Sequence, residues 1–517
     1  MSSLKHLVRR ASLALQGGVS AARTHVAAWP IPERIGLTLA ALWLVGSALV
    51  TAPRALGDGG EYFLMAESFA RHLSPEARPA DILAVAEKLR RQGIALNVAN
   101  MLEVFFPDDG GRRYCYHFWG YSLATLPARA GLRAVGMTDL KAPQLTNALL
   151  LLFTLHQILF AAPLGRGARR VLALCTLFSP IAWYVLWPHP EAVCASAVLL
   201  GLIWSAQGRH LAGTLAVSLA AMQNPPLVLL AATLWGRACI AHFKSSPQER
   251  RPRLHPLLSA TLALMPAAIP TLFYLWRLAE PSPLARVSTD PRLLSLHRAL
   301  ELFFDLNLGM LPYLPAILLL FAAASVAQLL RVRTALISLE RLALLLVMAL
   351  TCTITQNWNS GAAGISRYSV WMLPLVLMGV AHSMERWLAG QRRIRRLALM
   401  AGVVVVVSQA SATLARGGLV QGDDSTDHSY AARFALTHAP GLYNPTPLIF
   451  VSRTRQMPSM PGFAVYRDGT GRCRKAYVRP KDGAQLLSLC GYLPQGSEAF
   501  FATPKSRARK AYSYVDY

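Results

Sequence analysis

Residues Gly57 to Tyr62 read GDGGEY, which sets two carboxylates, Asp58 and Glu61, three positions apart among glycines. A positioned carboxylate can take the proton of an attacking hydroxyl. The neighbouring glycines keep the backbone open to an approaching ligand. The same spacing fits a variant capping box at a helix start, and the two uses are compatible, because a capping Asp is held in place and kept ionised. Arg367, followed by Tyr368, opens a late apolar run, where a guanidinium can grip phosphate oxygens with two donors or snorkel to lipid headgroups. His189 and Glu191 stand in WPHPE between two apolar runs, and ionisable groups near a membrane segment are functional candidates by default. Asn357 and Asn359 offer amides to sugar hydroxyls, although Asn also serves loop turns. His117 sits in the aromatic stretch YCYHFW, where packing alone would account for it, and Asp305 and Asn307 are placed to cap the apolar run that follows.

These residues need a frame, and the composition describes one. The 517 residues are 54% hydrophobic and 15% charged, with a mean hydropathy of +0.35, too apolar for a soluble chain and too long for one span. The expected fold class is an all-α polytopic membrane protein of about eleven transmembrane helices, near 35–56, 142–165, 170–187, 191–207, 210–223, 226–243, 257–277, 310–330, 342–357, 368–387 and 396–414. Prolines in WPHPE and QNPP break the apolar runs, as tight turns or as kinks. A net charge of +26 would suggest nucleic acid in a soluble protein. Here Arg166, Arg169, Arg170, Lys244, Arg250, Arg331, Arg333, Arg392 and Arg396 cluster in short loops, which the positive-inside rule places in the cytoplasm, so no nucleic-acid partner is expected.

Residues 1–34 read as a basic amphipathic segment on the cytoplasmic membrane face, without a cleavable signal. Residues 35–414 form the transmembrane domain, with a large outward loop at 57–141. Tyr62, Met65, Ala66, Phe69 and Leu73, then Ile82, Val85, Ala86 and Leu89, follow helical spacing and predict amphipathic helices lying along the outer membrane surface. Residues 415–517 predict a small α+β extracytoplasmic region, with a hairpin about Asp468-Gly469, packed on the first loop. Cys473 and Cys490 both fall in that tail and predict a disulfide, while Cys115 is left over and no paired Cys-x-x-Cys points to structural zinc.

An acidic GDGGEY at the exit of the first span, a long outward first loop, many further spans and a polar outward tail together resemble the GT-C superfamily of integral-membrane glycosyltransferases. QNWNSGAAGISRYSVWMLPL from Gln356, WPHPEAV and AAMQNPP are similar to segments of bacterial members, although the paired acids are here spaced as Asp58 and Glu61. The resemblance implies transfer of a sugar from a polyprenyl-phosphate donor to a hydroxyl of a glycan, glycolipid or protein acceptor. It implies Asp58 as general base, with Glu61 beside it, and Arg367 with Tyr368 on the donor phosphate; by residue type and place, His117, His189, Glu191, Asn357 and Asn359 are the further candidates around the substrates. No cofactor is required, since a monophosphate leaving group can be held by cations alone, though a divalent metal would be compatible. The expected location is the inner membrane, N-terminus inside and C-terminus outside. The competing classes are a lipid-linked-sugar transporter or flippase, which should show repeat symmetry and charges inside its spans, and a non-catalytic assembly factor.

The orientation has a direct check. A cysteine placed near Ser246 should react with a thiol reagent only after the inner membrane is permeabilised, whereas one near Ser425 should react with an impermeant reagent in intact cells. Labelling of both from outside would overturn the orientation.

Overall fold

The computed structural model describes residues 30–94, 102, 104–244, 256–359, 364–422, 426–457, 462–501 and 512–517. Most of the amphipathic N-terminal segment expected at 1–34, and four residues (360–363) of the QNWNSGAAGISRYSVWMLPL motif, lie outside these. The chain is mainly helical. Five helices are long and apolar enough to cross a membrane: Ile31–Val50, Asp139–Phe160, Leu258–Leu278, Thr334–Cys352 and Arg392–Ala415. Leu39, Leu42, Leu336, Val403 and Val404 stand exposed on three of them, as lipid-facing side chains should. Four shorter apolar helices of 10–17 residues, Glu191–Ala206, His210–Ala221, Pro225–Ala241 and Pro315–Leu329, fall within other predicted spans, so among the described residues five of the eleven expected spans are long and apolar enough to cross. The Arg367–Leu388 helix is nearly all buried between its neighbours.

One predicted span is broken. Residues 170–187 are not one helix: Arg166–Leu177 ends before Ser179, whose hydroxyl caps the four-residue helix Pro180–Trp183, and Trp187–Pro190 then turns into Glu191–Ala206. Proline at 180, 188 and 190 removes the donors that a continuous helix would need. QNPP is likewise a turn between the packed helices on either side. The Glu191–Ala206 and His210–Ala221 helices touch backbone to backbone, since a Cβ at Gly201 would lie 2.9 Å from the Gly213 carbonyl.

The first loop is a packed subdomain, in which Ile82, Val85 and Leu89 of the second predicted helix form its buried face as expected. Gly59–His72 is buried from Tyr62 to Phe69, not along one stripe. Strands β1 (Glu76–Ala77), β2 (Phe105–Pro107) and β3 (Arg113–Cys115) form an antiparallel sheet in the order β1-β3-β2, which the sequence reading missed. The two longer helices of the loop, Gly59–His72 and Pro79–Arg91, are tied to Leu126–Ala134 by buried charges: Glu67 meets Lys88 and Arg129, and Asp139 meets Arg129 at 2.8 Å and Lys88 at 3.0 Å. Burial would raise the Glu67 carboxyl, but the hydrogen bonds of Lys88 and Arg129 bring it down to about 2.

The tail has the expected hairpin, β4 (Ala464–Arg467) with β5 (Cys473–Val478), extended by β6 (Ser513–Asp516). Asp468 closes its turn by accepting from the Thr470 and Arg472 amides. Cys473 and Cys490 are joined, with Cα atoms 5.8 Å apart. The docking surface differs from expectation: among the described residues the tail packs on the segment around Leu296–Phe304 and not on the first loop. Tyr443 donates to Asp305 at 2.8 Å, Asn307 donates to the Tyr443 hydroxyl and accepts from the Ser429 amide, and Thr446 donates to Glu301 at 2.6 Å. Asp305 and Asn307 therefore hold the tail and do not cap the Pro315–Leu329 helix, which has no side-chain cap.

Burial, helped by the charge of Glu301, raises the Asp305 carboxyl to about 6, against hydrogen bonds from the Leu308 amide, Tyr443 and the Asn307 amide. A folded pKa above the unfolded value of about 3.9 makes the folded state the stronger proton binder, so this contribution is full below about pH 4 and is lost as pH rises through about 6. Asp305→Asn should gain stability relative to the native protein between pH 4 and 7, by up to about 3 kcal/mol, read as protease resistance of the tail. Parallel pH profiles for the two proteins would exclude this coupling.

Candidate functional site

The capping role expected of Asp58 and Glu61 is not what their side chains do. Asp58 is the N-cap of the Gly59–His72 helix, but no side-chain cap bond forms, and the first amides go to backbone carbonyls, Glu61 N to Asp58 O at 3.2 Å. Both carboxylates are thereby released for other partners. Arg367 Nη1 donates to Asp58 Oδ2 at 2.6 Å. Glu61 Oε2 meets His117 Nδ1 directly and lies 3.3 Å from the Cys115 thiol. His117 Nε2 closes the group, 3.6 Å from Asp58 Oδ2.

Each side chain has a local cause for its place. Strand β3 ends at Cys115, paired with Phe105, and the Tyr274 hydroxyl donates to the carbonyls of Cys115 and His117, so the YCYHFW segment is pinned over Glu61. The 187–190 turn carries His189 beneath Asp58. His189 Nε2 donates to the Leu56 carbonyl at 2.9 Å, which leaves Nδ1 facing Arg367 Nη1 at 3.5 Å. Glu191, almost fully buried, lies 3.7 Å from the same Nδ1. The glycines of GDGGEY have a packing reason. A Cβ at Gly59 would stand 2.4 Å from Pro188 Cγ, and Gly57, at φ +51°, has the His189 ring 3.0 Å from where a Cβ would be.

The electrostatics follow from this packing. Burial would raise the Asp58 carboxyl, but Arg367, His117 and His189 outweigh it and hold it well below the usual carboxylate range. Burial would lower the His117 imidazole, yet the charges of Asp58 and Glu61 and the Glu61 hydrogen bond raise it. The Cys115 thiol is pushed well up by burial and by Glu61, so it is not a ready nucleophile. Glu61, Cys115 and His117 offer three ligand atoms within 4.8 Å of one another, a donor set of the kind zinc accepts. Within the chain those atoms already satisfy one another by hydrogen bonds.

Above this cluster a cavity of about 610 Å³ opens. Asp58, His117, Glu191, Asn357, Arg367 and Tyr368 line it, with Leu229, Leu284 and Trp371 among its apolar walls. The chain matches no protein-family model, no curated protein and no solved structure. The site is therefore read from its own geometry.

Of the residues singled out in the sequence, Asp58, Glu61, His117, His189, Glu191 and Arg367 form one cluster, and Tyr368 and Asn357 stand on the cavity wall. Asn359 does not line it; its side-chain oxygen accepts from Arg453 of the tail at 2.9 Å. Residues that the sequence reading missed are Cys115, Tyr62, Tyr116, Gln223 and Asn224. Gln223 accepts from the Tyr121 amide and donates to the Tyr62 hydroxyl, fastening the QNPP turn to the first loop. The aromatic spacing of YCYHFW was the available signal for Cys115 and Tyr116, whereas nothing in QNPP announced a contact 161 residues away.

The close approach at Gly59 is testable. Gly59→Ala should destabilise by about 1–3 kcal/mol through the clash with Pro188, whereas Gly36→Ala, where a Cβ meets nothing within 4 Å, should be neutral or stabilising. Thermal unfolding in detergent reads both, and equal behaviour would remove the packing account of the motif.

Proposed function

We propose that the chain is a membrane glycosyltransferase that moves a sugar from a polyprenyl-phosphate donor to an acceptor hydroxyl. The observation that carries this reading is the pairing of Asp58 with Arg367, 309 residues apart, at the wall of a cavity with polar and hydrocarbon surfaces. A lipid-linked sugar needs both surfaces. The full reading has about eleven spans in the inner membrane, the N-terminus in the cytoplasm, and the cavity and tail on the extracytoplasmic side.

The chemistry uses the ion pair. In the unliganded site Arg367 is held by Asp58, and this makes Asp58 a weak base. A donor phosphate competes for the guanidinium, drawing it away and returning basicity to the carboxylate as the substrate arrives. The acceptor oxygen then forms a bond to the anomeric carbon while its proton passes to Asp58. The bond from that carbon to the phosphate oxygen breaks, and its electron pair stays on the phosphate, where Arg367 stabilises it. Glu61 and His117 orient Asp58 from the other side. His189 and Glu191 support Arg367 from beneath, and Tyr368 and Asn357 face the substrates.

The test is transfer or hydrolysis of radiolabelled polyprenyl-phosphate sugars by the purified protein. Asp58→Asn should lower turnover by roughly 10²–10⁴-fold without weakening donor binding, because the amide no longer competes for Arg367. Arg367→Ala should instead weaken donor binding by roughly ten- to a hundredfold. Full activity in a well-folded Asp58→Asn protein would remove the base. An intact donor that crosses vesicles containing the native protein would point to a transporter.

A further inference from the structure

The helices that carry the candidate site at one end hold a second cavity at the other. Glu191–Ala206 runs about 22 Å from Glu191 to Ala206, and Arg367–Leu388 about 28 Å from Arg367 to Arg386, at 1.5 Å per residue. Where these helices end, a cavity of about 460 Å³ lies between them and the Val228–Lys244 and Val332–Cys352 helices. Leu202, Leu230, Leu344 and Met378 give it apolar walls, and Arg237, Arg341 and Arg386 line its polar side.

The charges there do not cancel. Two carboxylates, Glu340 and Glu385, face three arginines. Glu340 pairs with Arg237 at 2.7 Å, and Glu385 is engaged by the Gly165 amide at 2.7 Å. Arg386 donates only to the His382 carbonyl, at 3.2 Å, among the described residues. Arg341 is partly buried, presses against the bare backbone of Gly379, and has no hydrogen bond or ion pair among the described residues. A guanidinium held between apolar helices without an anion is costly. The starts of the Arg166–Leu177, Val332–Cys352 and Arg392–Ala415 helices carry Arg166, Arg169, Arg331 and Arg392 nearby in the chain, which deepens the attraction for an anion.

We propose that this cavity binds the headgroup of an anionic glycerophospholipid, with Arg341 and Arg386 on the phosphate and the wall of Leu202, Leu230 and Leu344 against an acyl chain. The shared chemistry is a phosphate anion, and the apolar wall favours a lipid over free phosphate. The site is separate from the proposed transfer centre and does not depend on it.

The full chain, purified in neutral detergent, is mixed with phosphatidylglycerol, phosphatidylcholine or inorganic phosphate and followed by native mass spectrometry and thermal unfolding. Phosphatidylglycerol should stay bound and raise Tm, phosphatidylcholine should do so much more weakly, and phosphate should not substitute. Arg341→Gln should weaken phosphatidylglycerol binding by roughly ten- to a hundredfold. If that variant does not fold, Arg386→Gln and Leu344→Trp, which fills the apolar side, should give the same loss. Undiminished lipid binding in the folded variants, or equal responses to phosphatidylcholine, would overturn the proposal. A full response to inorganic phosphate alone would overturn its lipid part.

Discussion

Asp58 and Arg367, both half-buried at the cavity wall, are brought within 2.6 Å of each other across 309 residues. The pair ties the start of the first loop to a helix made 309 residues later, and the elements around it fix the direction of both charges. The Gly59–His72 helix presents Asp58, the Arg367–Leu388 helix presents Arg367, and the 187–190 turn supplies His189 between them. Glu61, Cys115 and His117 then complete a chain of polar groups in which each depends on the next.

This dependence explains why the first loop is compact. If its helices lay loosely along a membrane surface, Asp58 would have no fixed direction. The β1-β3-β2 sheet and the buried charges at Glu67 and Asp139 give the loop its own rigidity, and Tyr274 and Gln223 fasten it to the helical bundle. The tail acts on the far side of the same region. Glu301, which receives Thr446, also accepts from the Trp358 indole at 2.7 Å, one residue after Asn357 on the cavity wall.

Much of this was legible in the sequence, and the exceptions have physical causes. Apolar length marked five helices long enough to cross a membrane. Asp58, Glu61, His117, His189, Glu191 and Arg367 were singled out by type and by nearness to apolar runs, and they converge because buried ionisable groups need one another. What the residues could not announce was partnership. The capping spacing of Asp58 and Glu61 is a local signal, and it was overridden by long-range charge pairs. Strands β1 to β3 are two or three residues long, too short to show alternation. Asn359 looked like a sugar ligand and serves the tail, since an amide side chain carries no mark of which surface it will face.

The sequence distance between Asp58 and Arg367 also sets an order of events during biosynthesis. At about 5–20 residues per second, the ribosome adds the 309 residues between them in roughly 15–60 seconds. Through that interval Asp58 has been made and its strongest counter-charge, Arg367, has not, whereas Glu61 already has His117 within 56 residues. Asp58 must stay hydrated, so the cavity region cannot close until the Arg367–Leu388 helix is in place. The tail, synthesised last, then seals Glu301 and Asp305. A nascent chain stalled before residue 367 is thus expected to hold its apolar helices around an open, water-filled vestibule.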